Sequence, residues 1–147
     1  MSLGNPTSKM SKSDPTGCVF LMDSPEEIAR KFKRAITDSD TERCVRYDPE
    51  NKPGVANLMN IYASVTGKSF DEIESEFAGK GYGVFKPAVG DAVIETLRPI
   101  REEAERILAD KAYLKQVYTD GAMKASSVAR KTLRKVYKRV GLVEKPF

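Results

Sequence analysis

Histidine is absent from this 147-residue chain. Its absence removes the usual general base, the usual zinc ligand and any Ser-His or Cys-His nucleophile pair. Cysteine is scarce: Cys18 and Cys44 stand alone, without metal-ligand spacing, and are expected to be reduced thiols rather than a disulfide. No apolar run approaches the roughly 20 residues of a membrane helix. No apolar segment behind the first lysines reads as a secretory signal. Internal repeats, low-complexity tracts and alternating strand patterns are also missing. The expectation is a cytoplasmic, all-α domain with neither a membrane partner nor a protein-bound metal.

The remaining composition is ordinary for a globular protein, with 40% hydrophobic and 31% charged residues. The charge is unevenly placed. Residues 1–110 hold 15 Lys/Arg against 19 Asp/Glu, whereas residues 111–147 hold 10 Lys/Arg against only Asp120 and Glu144. Such asymmetry points to a polyanionic partner at the carboxy-terminal end.

Residues 1–19 are rich in Ser, Lys, Pro and Gly and read as a loop. Ser24-Pro25-Glu26-Glu27 is a capping box with proline at the first helical position, and predicts a helix to about Ile36. Thr37 to Pro53 is polar and turn-rich. A second helix carries Val55, Leu58, Met59 and Tyr62 on one face and stops near Gly67. Ser69-Phe70-Asp71-Glu72 opens a third, short helix with Phe70, Ile73 and Phe77 inward. Gly79, Gly81 and Gly83 end it; they match neither a Walker nor a dinucleotide fingerprint, and no strand precedes them. A long helix follows from about Phe85 to Leu108, with a kink expected at Pro99. Asp110 caps a further short helix, Gly121 is expected to be a joint, and the last helix runs from about Ala122 to Val140. The fold class is therefore all-α, an irregular bundle of five or six helices.

On a helical wheel, Ala125, Ala129, Leu133, Val136, Tyr137 and Val140 share one face of that last helix. Lys124, Arg130, Lys131, Arg134, Lys135, Lys138 and Arg139 occupy the other, and no acidic residue interrupts residues 122–140. This density can neutralise several phosphates and release their counterions, which makes an RNA backbone a candidate partner. The competing reading is a solvated face that keeps the domain soluble. A membrane-surface helix fits less well, because the apolar face is small, Ala-rich and needed for the core.

The sharpest local signal is Lys9-Met10-Ser11-Lys12-Ser13. Two lysines three apart, each beside a serine, can place two ammonium groups and two hydroxyls on one polyanion. The competing reading is a disordered basic tail on a stand-alone helical module that binds RNA or a protein.

These five residues resemble the KMSKS signature of class I aminoacyl-tRNA synthetases. Thr37-Asp38-Ser39, Lys52-Pro53-Gly54-Val55-Ala56-Asn57-Leu58, Phe77-Ala78-Gly79-Lys80-Gly81-Tyr82-Gly83 and Arg98-Pro99-Ile100 narrow the resemblance to bacterial-type tryptophanyl-tRNA synthetases. Tyrosyl-tRNA synthetases share the loop in varied form but not the Lys-Pro-Gly-Val-x-Asn-Leu pattern.

The resemblance implies activation of tryptophan by ATP with Mg²⁺, then transfer of the tryptophanyl group to tRNA(Trp). It implies that residues 1–20 are the signature loop and tail of a catalytic domain, and that residues 21–147 are the helical anticodon domain. Lys9 and Lys12 would stabilise the departing pyrophosphate, with Ser11, Ser13 and the loop backbone holding phosphates and Met10 anchoring the loop by packing. The family's His-x-Gly-His type signature and its Rossmann sheet have no counterpart here, so the chain reads as a carboxy-terminal fragment, inactive alone. The whole enzyme is expected to be a homodimer, and the fragment either a monomer or associated through an apolar patch exposed by the truncation. Without an ATP pocket to close over, residues 1 to about 17 are expected to be mobile or held only by packing against a neighbour.

Overall fold

A computed structural model describes residues 1–40 and 45–143. Cys44 lies outside them, and Cys18 is a half-buried free thiol. The described residues form five helices and no strand, in two compact units, residues 1–102 and 103–147.

The first helix, α1, spans Pro25–Arg34. Its capping box closes as expected: the Glu27 N–H donates to Ser24 Oγ at 3.2 Å, and the Ser24 N–H donates to Glu27 Oε2 at 3.0 Å. Ile28 and Phe32 are buried on its inner face. The helix stops two residues before Ile36. Ala35 turns extended, and the Ile36 N–H leaves the helical ladder to donate to the Leu3 carbonyl at 2.9 Å. Ile36, expected inward, is half-exposed as a result.

The second helix, α2 (Pro53–Thr66), ends at Gly67, whose φ of 74° makes a left-handed cap. Its start is pressed against the backbone after α1: a Cβ on Gly54 would collide with the Ile36 carbonyl. The short α3 (Phe70–Glu76) carries the second capping box, Ser69 with Glu72.

The helix α4 spans Tyr82–Ala109, starting three residues earlier than the apolar period suggests because the Gly81 carbonyl already accepts the Val84 and Phe85 N–H groups. It continues through Pro99 without interruption. Within the first unit the core joins Ile28 and Phe32 of α1 to Val55, Leu58, Met59 and Tyr62 of α2, Ile73 of α3, and Phe85 and Val89 of α4. Tyr62, Phe77 and Phe85 form an edge-to-face aromatic cluster, with ring centroids 5.0–6.4 Å apart. Gly90 lets α4 approach the Phe32 side chain closely.

The helix α5 is one element, Lys111–Val140, where two helices with a joint were expected. Asp110 caps it, accepting from the Tyr113 N–H at 2.9 Å. Gly121 keeps an ordinary backbone conformation in its middle, so the missing side chain weakens the helix without breaking it. The apolar stripe of Ala125, Ala129, Leu133, Val136 and Val140 was expected to be buried. It is exposed instead, and Tyr137 is only half-buried. No described helix is long and apolar enough to cross a membrane.

Candidate functional site

The lysine loop is built on a root that the chain itself supplies. Ser2 and Leu3 are buried, 4% and 3% exposed, where a loosely held segment was expected. The Ser2 N–H donates to the Ser8 carbonyl at 2.8 Å, and the Leu3 N–H donates to the Gly17 carbonyl at 2.9 Å, closing the two ends of the loop on each other. Ser2 Oγ accepts from the Gly4 and Asn5 N–H groups at 3.2 and 3.3 Å. A Cβ on Gly17 would run into that same Oγ, so glycine is required where the loop returns.

Between these ends, Lys9, Ser11, Lys12 and Ser13 are exposed, while Met10 is half-buried against the core. Met10 thus packs as the sequence suggested and leaves both neighbouring polar pairs facing outward. A turn shapes the second half of the loop. The Asp14 N–H donates to the Ser11 carbonyl at 3.0 Å, and the Ser13 N–H donates to Ser11 Oγ at 3.3 Å. The Thr16 hydroxyl donates to Asp14 Oδ1 at 2.7 Å and holds the Asp14 carboxyl below its ordinary value. Neither Lys9 nor Lys12 forms an ion pair among the described residues. Two exposed ammonium groups without carboxylate partners suit a polyanion as point charges. Beside the loop, a groove of about 510 Å³ is lined by Leu3, Pro15, Thr16 and Phe20 on one side and by Arg30 and Arg34 of α1 on the other.

A charge network around the buried Lys52 was not foreseen. The Lys52 side chain, only 3% exposed, reaches Asp38 Oδ1 and Asp40 Oδ2 at 2.9 Å each. It also donates to the Tyr82 hydroxyl at 3.1 Å, and that hydroxyl donates to Asp38 Oδ1 at 2.7 Å. Burial by itself would push Lys52 down, but the hydrogen bonds to Asp38, Asp40 and Tyr82 outweigh it and hold the ammonium above the ordinary lysine value. Burial, with the hydrogen bond to Asp38, pushes the Tyr82 hydroxyl up to about 12. Burial opposes ionisation of Asp38, yet its hydrogen bonds with Tyr82 and Lys52 leave it below its ordinary value. Asp38 Oδ2 has no partner among the described residues. The network pins the segment after α1 to the starts of α2 and α4. Three of the sequence stretches singled out above, around Asp38, Lys52 and Tyr82, therefore meet at one point.

The seven basic residues proposed from the wheel, Lys124, Arg130, Lys131, Arg134, Lys135, Lys138 and Arg139, all lie on α5 and all are exposed. No cluster of three or more potential metal ligands occurs among the described residues.

A family model described as tRNA synthetases class I (W and Y) matches residues 1–98. Tryptophan–tRNA ligases from Wolinella succinogenes and Clostridium tetani are each 48% identical to the chain over 145 residues. Those alignments cover 97% of this chain but 43% and 42% of the two ligases, so the chain spans less than half the length of these curated relatives. Among solved structures, the tryptophanyl-tRNA synthetase of Campylobacter jejuni, in complex with ADP and tryptophan, superposes with a TM-score of 0.76 at 25% identity. That likeness covers 97% of this chain and 44% of the synthetase.

Proposed function

This chain belongs to the class I tRNA synthetases of the W and Y group, and from that premise we propose that it is the carboxy-terminal part of a tryptophan–tRNA ligase. The whole enzyme joins tryptophan to ATP as tryptophanyl-adenylate, releasing pyrophosphate, and then passes the tryptophanyl group to tRNA(Trp). Supporting this reading are the names and 48% identity of the two ligases and the ADP and tryptophan held by the Campylobacter synthetase.

The observation that carries the proposal is the loop itself. Lys9 and Lys12 stand exposed, without acidic partners among the described residues, on a root closed by Leu3 and Gly17. ATP enters with Mg²⁺ as substrate. As the bond between its α- and β-phosphates breaks, negative charge grows on the leaving pyrophosphate. Lys9 and Lys12 stabilise that charge, and the Ser11 and Ser13 hydroxyls donate to phosphate oxygens. Met10 holds the loop down against the core.

Lys124, Arg130, Lys131, Arg134, Lys135, Lys138 and Arg139 on α5 contact the phosphate backbone of tRNA(Trp) and fix its position. The enzyme works in the cytoplasm as a homodimer. Tryptophan itself binds in the portion of the ligase that this chain does not contain.

The test is ATP–pyrophosphate exchange by the longer natural protein that contains this chain. Exchange that requires tryptophan and is not supported by tyrosine is expected. Exchange driven by tyrosine, or none with either amino acid, would overturn the reading.

A further inference from the structure

One side chain on α2 grips the main chain at the root of the lysine loop. Asn57 is 6% exposed. Its Nδ2 donates to the carbonyls of Met1 at 3.2 Å and Ser2 at 3.3 Å, and its Oδ1 accepts from the Met1 terminal ammonium at 3.0 Å. The two carbonyl contacts carry the grip on the main chain, since they involve peptide groups rather than the terminal amine. Asparagine holds a two-proton amide donor beside a carbonyl acceptor on a short side chain.

The next residue along extends the grip. Leu3 donates to Gly17 at the far end of the loop and accepts from Ile36 just past α1. Asn57 and Leu3 together tie the residues before Lys9 to α2, to the end of α1 and to the loop's return. Close contact between Gly54 and the Ile36 backbone locks those two supports to each other. The loop therefore has rigid neighbours at its base, while its tip carries two long, flexible lysines.

We propose that Asn57 is a positioning residue for Lys9 and Lys12: by fixing the main chain of Met1 and Ser2 to α2, it sets where the loop's ammonium groups stand and makes the loop move with the helical unit. The proposal rests on the reading that these lysines act on ATP phosphates. Its chemistry is that of orientation. A displacement of about 1 Å at a charge-stabilising group can lower a rate by about a hundredfold, even when the displaced group is chemically intact.

Two variants separate the clamp from simple packing. Asn57→Ala removes both the hydrogen bonds and the volume. Asn57→Leu keeps the volume but removes every donor and acceptor. In this chain, hydrogen exchange followed by NMR is expected to accelerate at the Ser2, Leu3 and Ser8 amides by at least about tenfold in Asn57→Leu, with Met59, Tyr62 and Val89 changing less than about threefold. Uniform acceleration at all six amides, or none at the first three, would overturn the clamp. In the longer protein, Asn57→Leu is expected to lower kcat/KM for ATP by about tenfold or more while KM for tryptophan changes less than about twofold. An active wild type with an unaltered Asn57→Leu would remove the positioning role and leave the ligase reading standing. A wild type with no tryptophan-dependent exchange would remove the ligase reading, and the amide measurements would still decide the clamp.

Discussion

Replacing Lys52 with methionine is expected to destabilise the helical unit strongly, although the new side chain fills a similar volume. The Lys52 ammonium serves Asp38, Asp40 and Tyr82 at 2.9, 2.9 and 3.1 Å, and its side chain is 3% exposed. Removing one member of a buried ion pair costs about 3–5 kcal/mol, because the remaining charge stays uncompensated. Here the two carboxylates keep 26% and 31% of their side-chain surface, so water recovers part of that loss. The expected cost is about 2–3 kcal/mol. With a urea dependence of about 2 kcal/mol per molar, the unfolding midpoint falls by about 1–1.5 M. Circular dichroism at 222 nm in a urea titration reads this directly. Adding Asp38→Asn to Lys52→Met should restore about 1 kcal/mol, since the variants share a partner. A midpoint within about 0.3 M of wild type would refute the claim that the network holds α2 and α4 to the segment after α1.

Other expectations follow from the same geometry. Asp38 is held below its ordinary carboxyl value in the folded state, so the stability it contributes is present above the unfolded-state value and is lost as pH falls through the folded-state one. Acid unfolding monitored between pH 5 and 2, a range of roughly this span for carboxylates, should begin at higher pH in Lys52→Met than in wild type. At the alkaline end, the Tyr82 hydroxyl is raised from 10.0 to about 12, so its contribution is complete below 10.0 and is lost as pH climbs through about 12. Tyr82→Phe should flatten that part of the profile. Gly54→Ala should cost about 1–3 kcal/mol through collision with the Ile36 carbonyl, whereas Gly121→Ala, with open space around its Cβ, should gain about 0.5–1 kcal/mol in thermal unfolding. Charge reversal of Arg130, Arg134 and Lys138 to Glu should abolish salt-sensitive tRNA binding in a filter assay; unchanged affinity would make the basic face of α5 a solvated surface only.

What the sequence disclosed depended on the range of the forces involved. The caps at Ser24 and Ser69 were legible because a capping box is a contact between residues three apart. The end of α2 at Gly67 was legible for the same local reason. The end of α1 was not, because it is set by Leu3, 33 positions earlier in the chain, taking the Ile36 N–H. The Lys52 network spans separations of 14, 30 and 44 residues, which no local pattern encodes. The only hint was that Asp38, Lys52 and Tyr82 fell within the stretches that resemble the synthetases, whereas Asp40 did not.

In α2, one inward face was expected, yet Val55, Ala56, Asn57 and Leu58 are all buried, and the segment before the loop packs onto Asn57 as well as into the core. Asn57 is the polar residue that makes this second contact satisfiable. In α5, the wheel separated apolar from basic residues correctly but did not predict their burial: periodicity reports that a face is apolar and says nothing of what covers it. The five loop residues were legible as a motif, while the root that holds them came only with the fold.

The central claim is that Lys9 and Lys12 stabilise pyrophosphate as it leaves ATP. It is tested most directly by tryptophan-dependent ATP–pyrophosphate exchange in the longer protein, comparing wild type with Lys9→Ala and Lys12→Ala. Each variant is expected to lose about 10²–10³-fold in kcat, the scale for removing one preorganised donor from a developing charge. KM for tryptophan and the thermal unfolding temperature should be unchanged, since both side chains are exposed and without ion-pair partners among the described residues. Exchange at wild-type rates in either variant would contradict the account.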